Sequence, residues 1–177
     1  EKLDEKETRS QIEKMDDAGI GGFFMHARGG LQTEYMSDEW FDNVEVSVNT
    51  AEEKGMSAWA YDENGWPSGF GNSVVTGLGL EYQQKYLRCE ETDAPKKADN
   101  TITNLNHNGK NIHFYYEVNP FYVDTLDGEV IDEFIRTTHQ IYKEKLDDEF
   151  CDMAGFFTDE PAMHYFETGR NNFTIPW

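Results

Sequence analysis

The sequence predicts an α/β fold: repeated βα units forming the first half of a (β/α)8 TIM-type barrel, interrupted by a small antiparallel β insertion over about residues 80–120. Three observations point there. Short apolar runs alternate with helical patterns, as in a parallel sheet whose strands are joined by helices. Each run closes on a polar cluster: His26 with Arg28, Tyr61 with Asp62 and Glu63, and Thr158 with Asp159 and Glu160. Midway, Asn108-Gly109 stands between two strand-like runs and is a strong hairpin signal.

Residues 3–17 are charged and helix-prone, with Ile12 and Met15 as a sparse apolar face and Gly19 as a stop. Residues 20–25 read as a buried strand that delivers His26 and Arg28, and Gly29-Gly30 turns the chain. Ser37 suits a helix N-cap, and Asp38 and Glu39 in the first turn complement the helix dipole. Trp40, Phe41, Val44, Val48 and Ala51 recur at helical spacing until Gly55. A second strand over 57–61 leads into an acidic loop, Asp62-Glu63-Asn64-Gly65-Trp66-Pro67. The insertion follows: a strand over 80–91, a loop over 93–100, and a hairpin of 102–107 with 110–118. From Asp127, Val130, Ile131, Phe134, Ile135, Thr138, Tyr142 and Leu146 share one helical face. Residues 153–157 form the third parallel strand, ending in Thr158-Asp159-Glu160-Pro161. Beyond Pro161 the pattern is polar, with no helix to cover the last strand, so the unit reads as unfinished.

A chain of 177 residues can bury one proper core, and 37% hydrophobic content suits a globular protein. Four Trp, nine Tyr and twelve Phe are enough to fill that core and still supply sugar-stacking surfaces. A formal charge of −20 argues against nucleic acid, which is held by Lys and Arg, and against anionic membranes. It favours neutral or cationic substrates. No apolar stretch approaches the roughly 18 residues of a membrane span. Cys89 and Cys151 lack metal-ligand spacing and read as thiols in a reducing compartment. A cytoplasmic location is expected, with secretion left open because the natural N-terminus could be missing.

At the carboxyl rim of a parallel barrel, the three polar clusters would meet. Glycoside hydrolysis needs two carboxyl groups, one to protonate the leaving oxygen and one as base or nucleophile. Glu160 is the first choice for the proton donor, because Glu reaches further than Asp and Pro161 stiffens the backbone after it. Asp159, His26, Arg28 and Tyr61 are placed on the substrate side. Asp62 and Glu63 could bind sugar hydroxyls, coordinate a hard cation such as Ca2+, or cap the following turn. Trp66 heads a rigid loop suited to stacking on a sugar or to packing back on the barrel. No HExxH spacing, GxSxG elbow or phosphate loop is present. His107, His113, His139 and His164 receive no role.

Together, the motifs from Gly19 to Gly30, from Tyr61 to Gly69 and from Gly155 to Pro161 resemble the N-terminal part of the catalytic barrel in bacterial α-L-rhamnosidase-like proteins, glycoside hydrolase family 106 and its kin. The resemblance implies a (β/α)8 barrel with carboxylate catalysis and places the family's strand-end Glu at Glu160. It also implies inverting, calcium-assisted chemistry for family 106 itself. Eight units need about 250 residues, so the chain is expected to be part of a longer barrel whose second carboxylate lies beyond Trp177. Self-association through exposed barrel edges is the corresponding expectation. A non-catalytic carbohydrate-binding fragment and a divalent-metal hydrolase are the competing functions.

Overall fold

The computed structural model describes residues 2–161 and 175–176. In chain order its elements are α1 (Glu5–Asp17), β1 (Gly22–Ala27), α2 (Asp38–Lys54), β2 (Ser57–Asn64), β3 (Gln83–Thr92), β4 (Thr101–His107), β5 (Lys110–Val123), α3 (Gly128–Thr137), α4 (His139–Leu146), β6 (Gly155–Phe157) and β7 (Ile175–Pro176). They fall into two units. The described part of the first is 2–72 with 134–161, and that of the second is 73–133 with 175–176.

The first unit is built on a parallel three-stranded sheet in the order β1-β2-β6. Alternation along the strands gives it two unlike faces. Met25, Ala27, Ala58 and Ala60 lie in the core with Trp40, Phe41, Val44 and Val48 of α2 and Tyr142 and Leu146 of α4. Alanine at three of those sheet positions lets the helices approach closely. Phe156 meets Tyr142 edge-on, with centroids 5.3 Å apart, and Trp40 donates from Nε1 to the Tyr142 hydroxyl at 3.1 Å. The opposite face carries Phe24, Trp59 and Phe157. Phe24 is 54% and Phe157 41% exposed, with ring centroids 5.0 Å apart. Gly155 has φ 145°, and a β-carbon there would sit 3.0 Å from the Trp59 ring, so both backbone and packing call for glycine.

The helix ends follow the capping signals. Ser37 accepts from the Trp40 N–H, and Gly55 closes α2 in the left-handed conformation. Several boundaries differ from expectation. β1 runs on through His26 to Ala27, and β2 through Asp62 and Glu63 to Asn64, because β1–β2 pairing resumes after a register shift, with Ala27 opposite Asn64. The helical face from Asp127 breaks at Thr138 (φ −121°, ψ −78°), which puts His139 at the start of α4. Residues 80–82 form a 3-10 turn, so β3 begins only at Gln83.

The second unit holds an antiparallel sheet in the order β4-β5-β3-β7. Asn108 (φ 53°) and Gly109 (φ 81°) make the β4–β5 turn with two left-handed residues, as a tight hairpin requires. Here the polar side chains Gln84, Arg88 and His113 are buried. His113 links Glu90 Oε1 at 3.0 Å to Thr101 Oγ1 at 2.9 Å across three strands. The architecture is thus mixed α/β, with a parallel and an antiparallel sheet.

Candidate functional site

The carboxyl ends of β1, β2 and β6 bring His26, Tyr61 and Asp159 into direct contact. The His26 and Tyr61 rings stack with centroids 3.4 Å apart and planes within 12°. The Tyr61 hydroxyl donates to Asp159 Oδ2 at 3.0 Å. His26 Nε2 lies 2.6 Å from the Gly65 carbonyl oxygen, which can only accept. Nε2 therefore carries the proton in the neutral ring, leaving Nδ1 as an acceptor. Burial lowers the His26 pKa, with the Arg28 charge adding to it against the opposing Gly65 bond, so the neutral ring is favoured relative to a free imidazole. The Tyr61 hydroxyl is pushed up to about 12, by burial first and by its bond to Asp159, and remains a donor at neutral pH.

Asp62 and Glu63, expected to line the sugar site, are each only 1% exposed and bonded to the chain itself. Asp62 points to the helix side of the sheet. Its Oδ1 accepts from Ser68 Oγ at 2.5 Å and its Oδ2 from Thr158 Oγ1 at 2.6 Å, with His139 Nε2 3.6 Å away. Burial alone would raise its pKa, but the His139, Ser68 and Thr158 contacts outweigh this and hold the carboxyl below the usual value. Glu63 sits inside the loop that follows it. Its Oε1 accepts from the N–H groups of Asn64 (2.8 Å) and Asn72 (3.2 Å), and its Oε2 from those of Gly69 (3.2 Å) and Gly71 (2.7 Å). Of the roles open to this pair, holding the following turn matches the observed contacts. Each Glu63 oxygen accepts two backbone N–H groups, which a cation bound there would have to displace. Among the described residues, no three His, Cys, Asp or Glu side chains are grouped to hold a metal ion.

The same loop clamps the end of β6. Ser68 N–H donates to the Asp159 carbonyl at 2.9 Å, and Asp159 N–H donates to Ser68 Oγ at 3.0 Å. Glu160 is exposed and held at φ 45°, a left-handed conformation unusual for a side-chain-bearing residue and more so before proline. Trp66 is 54% exposed and precedes Pro67 through a cis bond. Arg28, two residues beyond His26, is exposed. The structure thus joins His26, Tyr61 and Asp159 by contact and leaves Glu160, Trp66 and Arg28 facing solvent. Three participants carried no assigned role in the sequence: Ser68, Thr158 as a partner of Asp62, and His139. For Ser68 and Thr158 the visible signal was a hydroxyl residue in each motif adjoining an acidic strand end; His139 carried no such signal.

Comparison of the chain with known protein families, with curated proteins and with solved structures finds no match in any of the three. No helix among the described residues is long and apolar enough to cross a membrane.

Proposed function

We propose that the strand-end cluster is the site of a glycoside hydrolase that acts on a neutral glycoside or oligosaccharide, with Glu160 as proton donor. The observation that carries the reading is the contact of His26, Tyr61 and Asp159 at the carboxyl ends of three parallel strands, where α/β enzymes keep their chemistry. Asp159, fixed through Tyr61, offers its free acceptor capacity to a sugar hydroxyl. The Nδ1 lone pair of His26 and the guanidinium of Arg28 add an acceptor and donors. Trp66 supplies a flat apolar surface for a sugar ring. Glu160, turned outward by its backbone, is the carboxyl free to reach a glycosidic oxygen. Asp62 and Glu63 hold this rim together.

In the same proposal the parallel sheet belongs to a (β/α)8 barrel. What supports this is the open face of Phe24, Trp59 and Phe157, since parallel sheets are normally covered on both sides. A second carboxylate from elsewhere in such a barrel would complete the acid and base pair. The test is hydrolysis of a panel of aryl glycosides by the full-length protein and by Glu160→Gln. Loss of turnover by at least about a hundredfold in a folded variant is expected. Equal turnover by both proteins would remove Glu160 from the mechanism.

A further inference from the structure

We propose that Ser68 is a positioning residue: held by Asp62, it fixes the backbone of Asp159 and thereby the directions in which Asp159 and Glu160 present their carboxyl groups. The catalytic consequence rests on the glycosidase reading, while the clamp itself rests on geometry alone. Ser68 is fully buried, and its single hydroxyl works in both directions. It donates to Asp62 Oδ1 at 2.5 Å and accepts from Asp159 N–H at 3.0 Å. Its own N–H donates to the Asp159 carbonyl at 2.9 Å. One residue thus holds both backbone polar groups of the residue that precedes Glu160.

Each end of this clamp is anchored independently. The loop bearing Ser68 is gathered around Glu63 by the N–H groups of Gly69, Gly71 and Asn72. Asp62 is tied to β6 a second time through the Thr158 hydroxyl. The residue before a proline resists helical dihedrals, and the left-handed φ of Glu160 is costlier still. Such a conformation persists where the flanking backbone is over-determined, and the Ser68 bonds supply that constraint. A catalytic group must be held within a fraction of an ångström of its productive position, so a loosened Asp159 backbone would slow the chemical step more than binding.

Ser68→Ala tests this. In a variant whose melting curve shows a folded chain, amide hydrogen exchange at Asp159 should speed up by about fivefold or more, as expected for one lost hydrogen bond. The Gly71 amide, bonded to Glu63, should keep its protection. With an aryl glycoside that the wild type hydrolyses, kcat should fall at least about tenfold with KM little changed. Unchanged protection of the Asp159 amide in folded S68A would overturn the clamp. An unchanged kcat would overturn the positioning role. A wild type that hydrolyses no glycoside would sink the glycosidase reading, while the exchange result would still decide the clamp. Asp62→Asn, which keeps the volume and weakens the same grip, serves as the second variant. It should raise exchange at Asp159 to a smaller extent, and no change there would count against the proposal.

Discussion

Glu63→Gln is a nearly isosteric change that should cost this protein several kcal/mol. Glu63 is 1% exposed, and its two oxygens accept from the N–H groups of Asn64, Gly69, Gly71 and Asn72 at 2.7–3.2 Å. Glutamine turns one oxygen into an NH2 group, which can only donate. Whichever way the amide is turned, two backbone N–H groups then face a donor and lose their acceptor. Hydrogen bonds to a charged acceptor contribute about 1.5–3 kcal/mol each. Losing two therefore costs at least about 3 kcal/mol, before the weakening of the remaining pair is counted. For a chain of this size that corresponds to a fall in Tm of roughly 6–12 °C. Thermal unfolding followed by circular dichroism is the assay, with Glu160→Gln as the matched control. Glu160 makes the same chemical change on an exposed side chain and should shift stability by less than about 0.5 kcal/mol. A Glu63→Gln melt within about 2 °C of wild type would refute the view that this carboxylate organises the loop.

Three further outcomes follow from the same contacts. The Asp62 carboxyl is held below its usual pKa, so its contribution is complete above about pH 4 and is lost as pH falls through the folded value. Unfolding titrations should show this acid limb flattened in Asp62→Asn, and an unchanged limb would contradict it. Tyr61 is shifted the other way, to about 12, so its share of stability should decline as pH rises from about 10 to 12. Tyr61→Phe should remove that decline and lower turnover by about tenfold through loss of the Asp159 hydrogen bond, both measurable by alkaline melts and steady-state kinetics. Finally, the open ring pair Phe24 and Phe157 should drive concentration-dependent association that Phe24→Gln reduces, seen as a later elution in size exclusion. A wild type that elutes as a monomer at every concentration would count against it.

The parallel units and the antiparallel hairpin were legible because their signals are local. Ser37 and Gly55 bracket α2, the Asn108-Gly109 pair makes a hairpin, and apolar runs mark the strands. The polar clusters at strand ends were legible for the same reason. Which member of each cluster faces solvent was not. That choice depends on strand alternation carried past the expected strand end, and β2 extends to Asn64 only through its pairing with β1. Asp62 consequently points to the helix side, where His139 waits at a break in the helix that periodicity alone does not reveal. Glu63 is taken up by backbone donors 6 to 9 residues away as well as by its neighbour Asn64. A list of acidic residues at a strand end therefore names both the scaffold and the surface of a site, and only packing separates them.

The two acid pairs make that separation physical. The two pairs occupy different surroundings, Asp62 and Glu63 buried, Asp159 half-buried and Glu160 exposed. Asp62 and Glu63 are both withdrawn into bonds that fix the loop. Asp159 is bonded to Tyr61 through its side chain and to Ser68 through its backbone, so it is the link between scaffold and surface. Glu160 is turned outward by a backbone conformation that costs on the order of 1–3 kcal/mol. A surface residue with no task has no reason to keep that cost, since glycine would relieve it. The outward, strained Glu160 next to a doubly held Asp159 is the arrangement that the proposed role of a positioned proton donor would require.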